Sequence, residues 1–225
     1  MKAKNRIVSA IIVGIALIGI VAFWLFRDFD AQGYVNAILA QTFKGDVKVA
    51  AEMIEASTEE ELAAQYEEGI KSFVAGNITG GVEMSEEMQE QYISLCKEIF
   101  ASAKFEVKEA EKLSRKEYKV PVEYCTTDIF SKFSEAIKAE SQRLLEKVDN
   151  GEYKGTVEEI NAQMQKEFLE NSYQMLETAY EQAECAEKET MIFTVKKGAS
   201  DLFTVDDAQV YKFVIKIMGL DEIQD

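Results

Sequence analysis

The sequence predicts an α+β fold: an N-terminal transmembrane helix, then a helix-rich domain on a small antiparallel sheet of about four strands, with an inserted helical hairpin. Three observations predict it. A charge-free apolar run covers Ile7 to Phe26. The hydrophobic period changes from helical to alternating near Phe105 and again near Met191. Between those alternating segments lie two long amphipathic stretches joined by the turn residues Asp149-Asn150-Gly151.

The apolar run comes first. About twenty helical residues span roughly 30 Å, the depth of a bilayer's hydrocarbon core. Lys2, Lys4 and Arg6 precede the run, and Arg27, Asp28 and Asp30 follow it. That asymmetry puts residues 1–6 in the cytoplasm as a short tail, 7–26 in the membrane and 27–225 outside. A cleaved export signal would have a shorter apolar stretch and small residues at its exit. Here the exit reads Ala22-Phe23-Trp24-Leu25-Phe26, which is bulky. The expectation is an uncleaved anchor running from Ile7 to Phe26, with Trp24 and Phe26 at the outer interface.

Composition narrows the functional classes. Three of the 25 basic residues precede the anchor and all 41 acidic residues follow it, so the outer part carries 22 basic residues and a net charge of −19. Such a domain repels nucleic acid and anionic headgroups. Histidine is absent, which removes the commonest general base and the commonest transition-metal ligand. Cys96, Cys125 and Cys185 are scattered without CxxC spacing, so zinc and thioredoxin-like readings fail. They leave room for one bridge, for example Cys125–Cys185, beside the plainer role of small buried hydrophobes. No cofactor, metal site or catalytic residue is expected.

The outer elements then follow in order. Tyr34 to Phe43 forms a helix stopped by Gly45, and Val47 to Ile54 forms a short second one. Thr58 with Glu61 makes a capping box for a helix with Leu62, Tyr66, Ile70 and Phe73 on one stripe. After Gly80-Gly81, Met84, Met88, Tyr92, Leu95 and Ile99 mark another helix. Phe105 with Val107, then Tyr118, Val120, Val122 and Tyr124, alternate as a hairpin connected through Leu113-Ser114-Arg115. Pro121 cannot donate to a ladder, which predicts an edge or bulged position.

The insertion, residues 126–186, comprises a helix from Thr127 to Val148 and another from a Thr156/Glu159 capping box to Ala183. The first places Phe130, Phe133, Ile137, Leu144, Leu145 and Val148 inward. Met191, Phe193 and Val195 return to strand period, Asp201 to Val205 pairs with them, and a terminal helix seals the sheet with Val210, Phe213, Val214 and Ile217.

Acidic clusters at Glu59-Glu60-Glu61, Glu67-Glu68 and Glu86-Glu87 read as solvated helix faces and N-terminal turns, not as calcium ligands. Met84, Met88, Met164 and Met175 read as core. Asn77-Ile78-Thr79 matches a glycosylation sequon within a glycine-rich loop.

Tyr34-Val35-Asn36-Ala37 and Phe43-Lys44-Gly45-Asp46, following an anchor, resemble the start of exported, lipoprotein-like domains of Gram-positive bacteria. The order of strands, helical insertion, strands and terminal helix is similar in outline to the nuclear-transport-factor-2-like or cystatin-like layout. That resemblance implies helices packed on a curved sheet, and it transfers no catalytic residues. This chain departs from it in having no lipobox cysteine, its first cysteine being Cys96. Two functions are expected. One is a non-catalytic binding module contacting an envelope component, membrane protein or peptide. The other is a receptor for a small ligand or peptide, with a cavity between sheet and helices lined by Tyr118, Tyr124 and Phe193. Oligomeric state is not legible.

Overall fold

The computed structural model describes residues 29–54, 57–198 and 201–223. The anchor reading, with Ile7, Trp24 and Phe26, lies outside them. Among the described residues no helix is long and apolar enough to cross a membrane. The chain divides into two compact units, Met1–Asp30 and Ala31–Asp225, and the second contains the sheet and its helices.

Seven helices and five strands are described. Helix α1 (Ala31–Lys44) ends at Gly45, which adopts φ +63° where a Cβ would come within 2.8 Å of the Tyr66 ring. Then come α2 (Val47–Met53) and α3 (Glu59–Phe73), the latter opened by the Thr58/Glu61 capping box and continued by a π turn, Val74–Ile78. Helix α4 (Glu86–Ala101) is capped by Ser85, so Met84 falls just outside it. Strands β1 (Phe105–Val107), β2 (Glu111–Ser114) and β3 (Glu117–Thr127) come next. Helices α5 (Ile129–Asp149) and α6 (Val157–Glu181) form the inserted hairpin. The chain returns through β4 (Cys185–Lys197), β5 (Phe203–Val205), α7 (Asp207–Ile217) and a 3-10 turn, Leu220–Ile223.

The sheet is antiparallel in the order β1-β3-β4-β5, with β2 pairing β3 beside β1. Two expectations need correction here. The connection at Leu113-Ser114 is itself part of a strand, β2, which makes five strands instead of about four. Strand β4 begins at Cys185, six residues before the alternating apolar positions start.

Pro121 is also not at an edge. Strand β3 lies in the middle of the sheet, and the Pro121 carbonyl accepts from Lys108 N–H on the β1 side at 2.8 Å. In an antiparallel strand a residue's N–H and C=O point the same way. The proline nitrogen therefore faces the interval between Val107 and Glu111, where β1 has ended and β2 has not begun. The Lys108–Pro121 pair thus makes one of its two possible bonds, and the missing one falls at the very end of the β1 ladder.

The core lies on one face of the sheet. Tyr118, Val120, Val122 and Tyr124 of β3 and Phe193 and Val195 of β4 are buried there. Phe213 of α7 meets the Tyr124 and Phe193 rings at 5.1 and 5.4 Å between centroids, and Phe43 of α1 at 5.9 Å. Phe43 touches Phe100, Phe100 touches Phe73, and Phe73 touches Phe130 at the root of the insertion. A continuous file of rings thus joins sheet to hairpin. The other sheet face carries Lys119, Thr190 and Ile192 in solvent.

Candidate functional site

The inserted hairpin is the part of the domain whose construction is not explained by the sheet core. Cys125, near the end of β3, and Cys185, the first residue of β4, are disulfide-bonded with Cα atoms 5.6 Å apart. All of α5 and α6 lies within that covalent loop. Beside it, Asp128 accepts from the Glu184 N–H at 2.8 Å and pairs with Lys132 at 2.8 Å. The base of the hairpin is clamped twice.

Above the base, Phe130, Phe133, Ile137, Glu140 and Leu144 recur at spacings of three and four, facing Leu169, Ser172, Leu176 and Ala179 of α6. Leu145 and Val148, expected inward, lie off this seam and are 60% and 37% exposed. Tyr92 of α4 reaches the hairpin with its hydroxyl, which bonds the Leu169 carbonyl at 2.8 Å and Ser172 Oγ at 2.7 Å. Burial pushes that phenol up to about 12, so it stays neutral.

One position in the seam is a carboxylate. Glu140 is 3% exposed. Arg143 forks onto it, Nε donating to Oε2 at 2.7 Å and Nη2 to Oε1 at 2.6 Å, and Asn171 of α6 donates to Oε1 at 2.8 Å. The same Nη2 donates to Glu167 at 2.6 Å. Glu167 also accepts from Lys147 and from the Tyr153 hydroxyl, whose ring lies under the Lys147 ammonium at 4.9 Å. The arginine fork holds Glu140 below the ordinary carboxylate range. Lys147, Tyr153 and Arg143, in that order, bring Glu167 to about 2. Every charge here is answered, so the cluster fixes the two helices against each other. Sequence reasoning missed it, although Glu140 standing in the heptad of Phe133, Ile137 and Leu144 is the signal that could have shown it.

Two grooves flank the seam. One, of about 360 Å³, is lined by Leu144, Leu145, Met164 and Phe168 with Asn161 and Gln165 at its margin. The other, of about 450 Å³, lies nearer the base between Ala136, Asn171, Met175 and Thr178. A third cleft of about 240 Å³ sits where Phe130, Phe133 and Ile137 meet the π turn and α7.

The residues expected to line a sheet–helix cavity do not line these three grooves. Tyr118, Tyr124 and Phe193 share the buried sheet face, where Phe213 of α7 packs against the Tyr124 and Phe193 rings. The Tyr124 hydroxyl donates to Glu189 at 3.1 Å, and burial together with that carboxylate raises it to about 12. Cys96 is buried and free, its thiol pushed up to about 12 by desolvation, which leaves it protonated and inert. In the sequon, the Asn77 amide donates to the Phe73 carbonyl and the buried Thr79 hydroxyl to Val74, so both groups are engaged within the π turn. Among the described residues no group of three or more Cys, Asp or Glu converges as metal ligands do.

No family model and no curated protein matches this chain. Among solved structures the fold is similar to that of ycdA, a candidate lipoprotein from Bacillus subtilis. The TM-score is 0.52 at 14% sequence identity, over 85% of this chain and 56% of that one. The chain thus spans little more than half the length of the protein it matches. At that identity the likeness is one of fold.

Proposed function

We propose that this chain is a single-pass, membrane-anchored extracytoplasmic module that makes non-catalytic contact with another envelope component through its clamped helical hairpin. On this reading the N-terminus is cytoplasmic and the acidic domain stands outside the plasma membrane of a Gram-positive cell. The Ile7–Phe26 run supports the anchor. The Cys125–Cys185 bond supports an oxidising compartment, since such bonds persist outside the cytosol. The description of the fold neighbour as a candidate lipoprotein points the same way.

The observation that carries the binding role is the groove at Leu145. A large aliphatic side chain, 60% exposed, lines a groove with Met164 and Phe168 on a scaffold whose two helices are bridged by the Glu140–Arg143–Glu167 cluster. Rigid presentation of an apolar surface with an adaptable methionine suits an amphipathic segment of a partner protein. The receptor alternative needs space beside Tyr118, Tyr124 and Phe193, where Phe213 is packed against two of the three.

The test is a photo-crosslinking amino acid at Leu145 in the full chain, irradiated in living cells, with Lys119 on the outer sheet face as the control position. A discrete adduct from position 145 alone is expected. Equal adducts from both positions, or none from 145, would overturn the assignment. Protease added to intact cells should digest the domain, and its survival there would remove the extracytoplasmic placement.

A further inference from the structure

The backbone groups of β4 divide by parity. Lys197 N–H donates to the Lys116 carbonyl at 2.9 Å, toward β3, while Lys196 pairs with Thr204 on the β5 side. Even-numbered residues therefore face away from β3. Two further bonds agree. Thr194 N–H donates to Gln209 Oε1 at 3.1 Å, and the Cys125 N–H opposite Lys188 is turned to the Lys104 carbonyl on the β1 side. Strand β5 covers β4 only from Val195 to Lys197. Lys188, Thr190 and Ile192 thus present N–H and C=O groups at a sheet edge, and among the described residues no strand pairs with them. Residues 185–190 are all exposed and Ile192 is 43% exposed.

A long uncovered edge is a template for an added strand. We propose that this edge receives an extended segment of another protein, running antiparallel to β4 and carrying basic residues at alternate positions. The charge pattern selects the occupant. Glu189 projects on one face beside Met191 and Lys188 on the other beside Thr190 and Ile192, with the exposed Glu187 next along the edge where the pairing shifts register. Glu189 is already held in place by the Tyr124 hydroxyl. Opposite-charge and apolar cross-strand pairs stabilise a ladder, and like charges directly opposite destabilise it. The complementary strand sets basic residues against Glu187 and Glu189, an acidic one against Lys188 and apolar ones against Met191 and Ile192. A second copy does not meet that pattern. Two-fold registers centred on Lys188 or Glu189 oppose like charges. Those centred on Thr190 or Met191 set Glu189 against Met191 or Phe193. Each chain also carries a net charge of −16. This surface is independent of the Leu145 groove.

The probe is a fluorophore-labelled synthetic peptide, Val-Ile-Thr-Lys-Glu-Lys, added to the full chain in lipid nanodiscs. Saturable anisotropy is expected, with slowed hydrogen exchange at Lys188, Thr190 and Ile192. Thr190→Pro removes an outward N–H that the β3 ladder does not use, so it should leave the melting temperature nearly unchanged and weaken binding about tenfold. Thr190→Val should bind as the wild type does. The surface variant Glu187→Lys/Glu189→Lys should also lose binding, which keeps the test informative if the proline variant misfolds. Binding unaffected by both variants would overturn the proposal, as would unchanged exchange at the three amides. So would sedimentation showing a dimer that Thr190→Pro dissociates, since the edge would then serve a second copy.

Discussion

Lys147 Nζ lies 2.8 Å from each carboxylate oxygen of Glu167, tying the end of α5 to the middle of α6. With Tyr153 and Arg143 on the same carboxylate, the folded state holds Glu167 at about 2, against an ordinary value of 4.5. The shift is downward, so the stability it contributes is complete above about pH 4.5 and is lost as pH falls toward 2. Urea denaturation across that window should show a falling midpoint in the wild type. The slope should flatten in Glu167→Gln, which cannot ionise.

Removing the Cys125–Cys185 bond should act on the unfolded chain more than on the folded one. The two residues are 60 apart in sequence, and closing a loop of that length is worth about 4 kcal/mol in the chain-entropy account. Cys125→Ser/Cys185→Ser should lower the unfolding free energy by up to that amount while keeping the helical content seen by circular dichroism. Added reductant should reproduce the loss in the wild type and leave the double variant unmoved.

Phe213 is fully buried where α1, α7 and the sheet meet, against four other rings. Phe213→Ala should destabilise the domain by about 3–5 kcal/mol and open an apolar cavity beside Tyr124 and Phe193. Benzene or xenon should then raise the melting temperature of the variant and not that of the wild type.

Gly219 ends α7 with φ +63°, and a Cβ there would approach the Thr127 carbonyl to 2.7 Å. Gly219→Ala should cost about 1–3 kcal/mol through strain and displacement of that carbonyl. Gly80→Ala, at φ +60° with nothing within 4 Å, should show the smaller cost of backbone conformation alone. Paired thermal melts of the two variants separate the effects.

The helices were legible where sequence carries local chemistry. Thr58 with Glu61 and Thr156 with Glu159 form both halves of their capping boxes. The buried face of β3 follows from alternation at Tyr118, Val120, Val122 and Tyr124. Strand β2 and the first half of β4 were not legible, because alternation reports burial and these residues are almost all exposed. They are strands because β3 needs ladder partners, a demand written in no local pattern. Alternation also puts Tyr118, Tyr124 and Phe193 on one sheet face, which is where they stand. What period alone could not reveal is that Phe213 from the terminal helix already stands there. The hairpin's ion cluster was hidden because its members come from Glu140, Tyr153 and Glu167, distant in sequence and ordinary one by one.

The chain's only proline, Pro121, has a further effect on assembly. A slide of β3 by two residues would keep every side chain on its proper face, so the hydrophobic pattern alone does not forbid it. Such a slide would carry the imide ring opposite a carbonyl that now receives a donor. Pro121 therefore acts as an indexing pin: in the native alignment its missing donor falls at the end of the β1 ladder, and in the misthreaded one it would fall inside a strand pair.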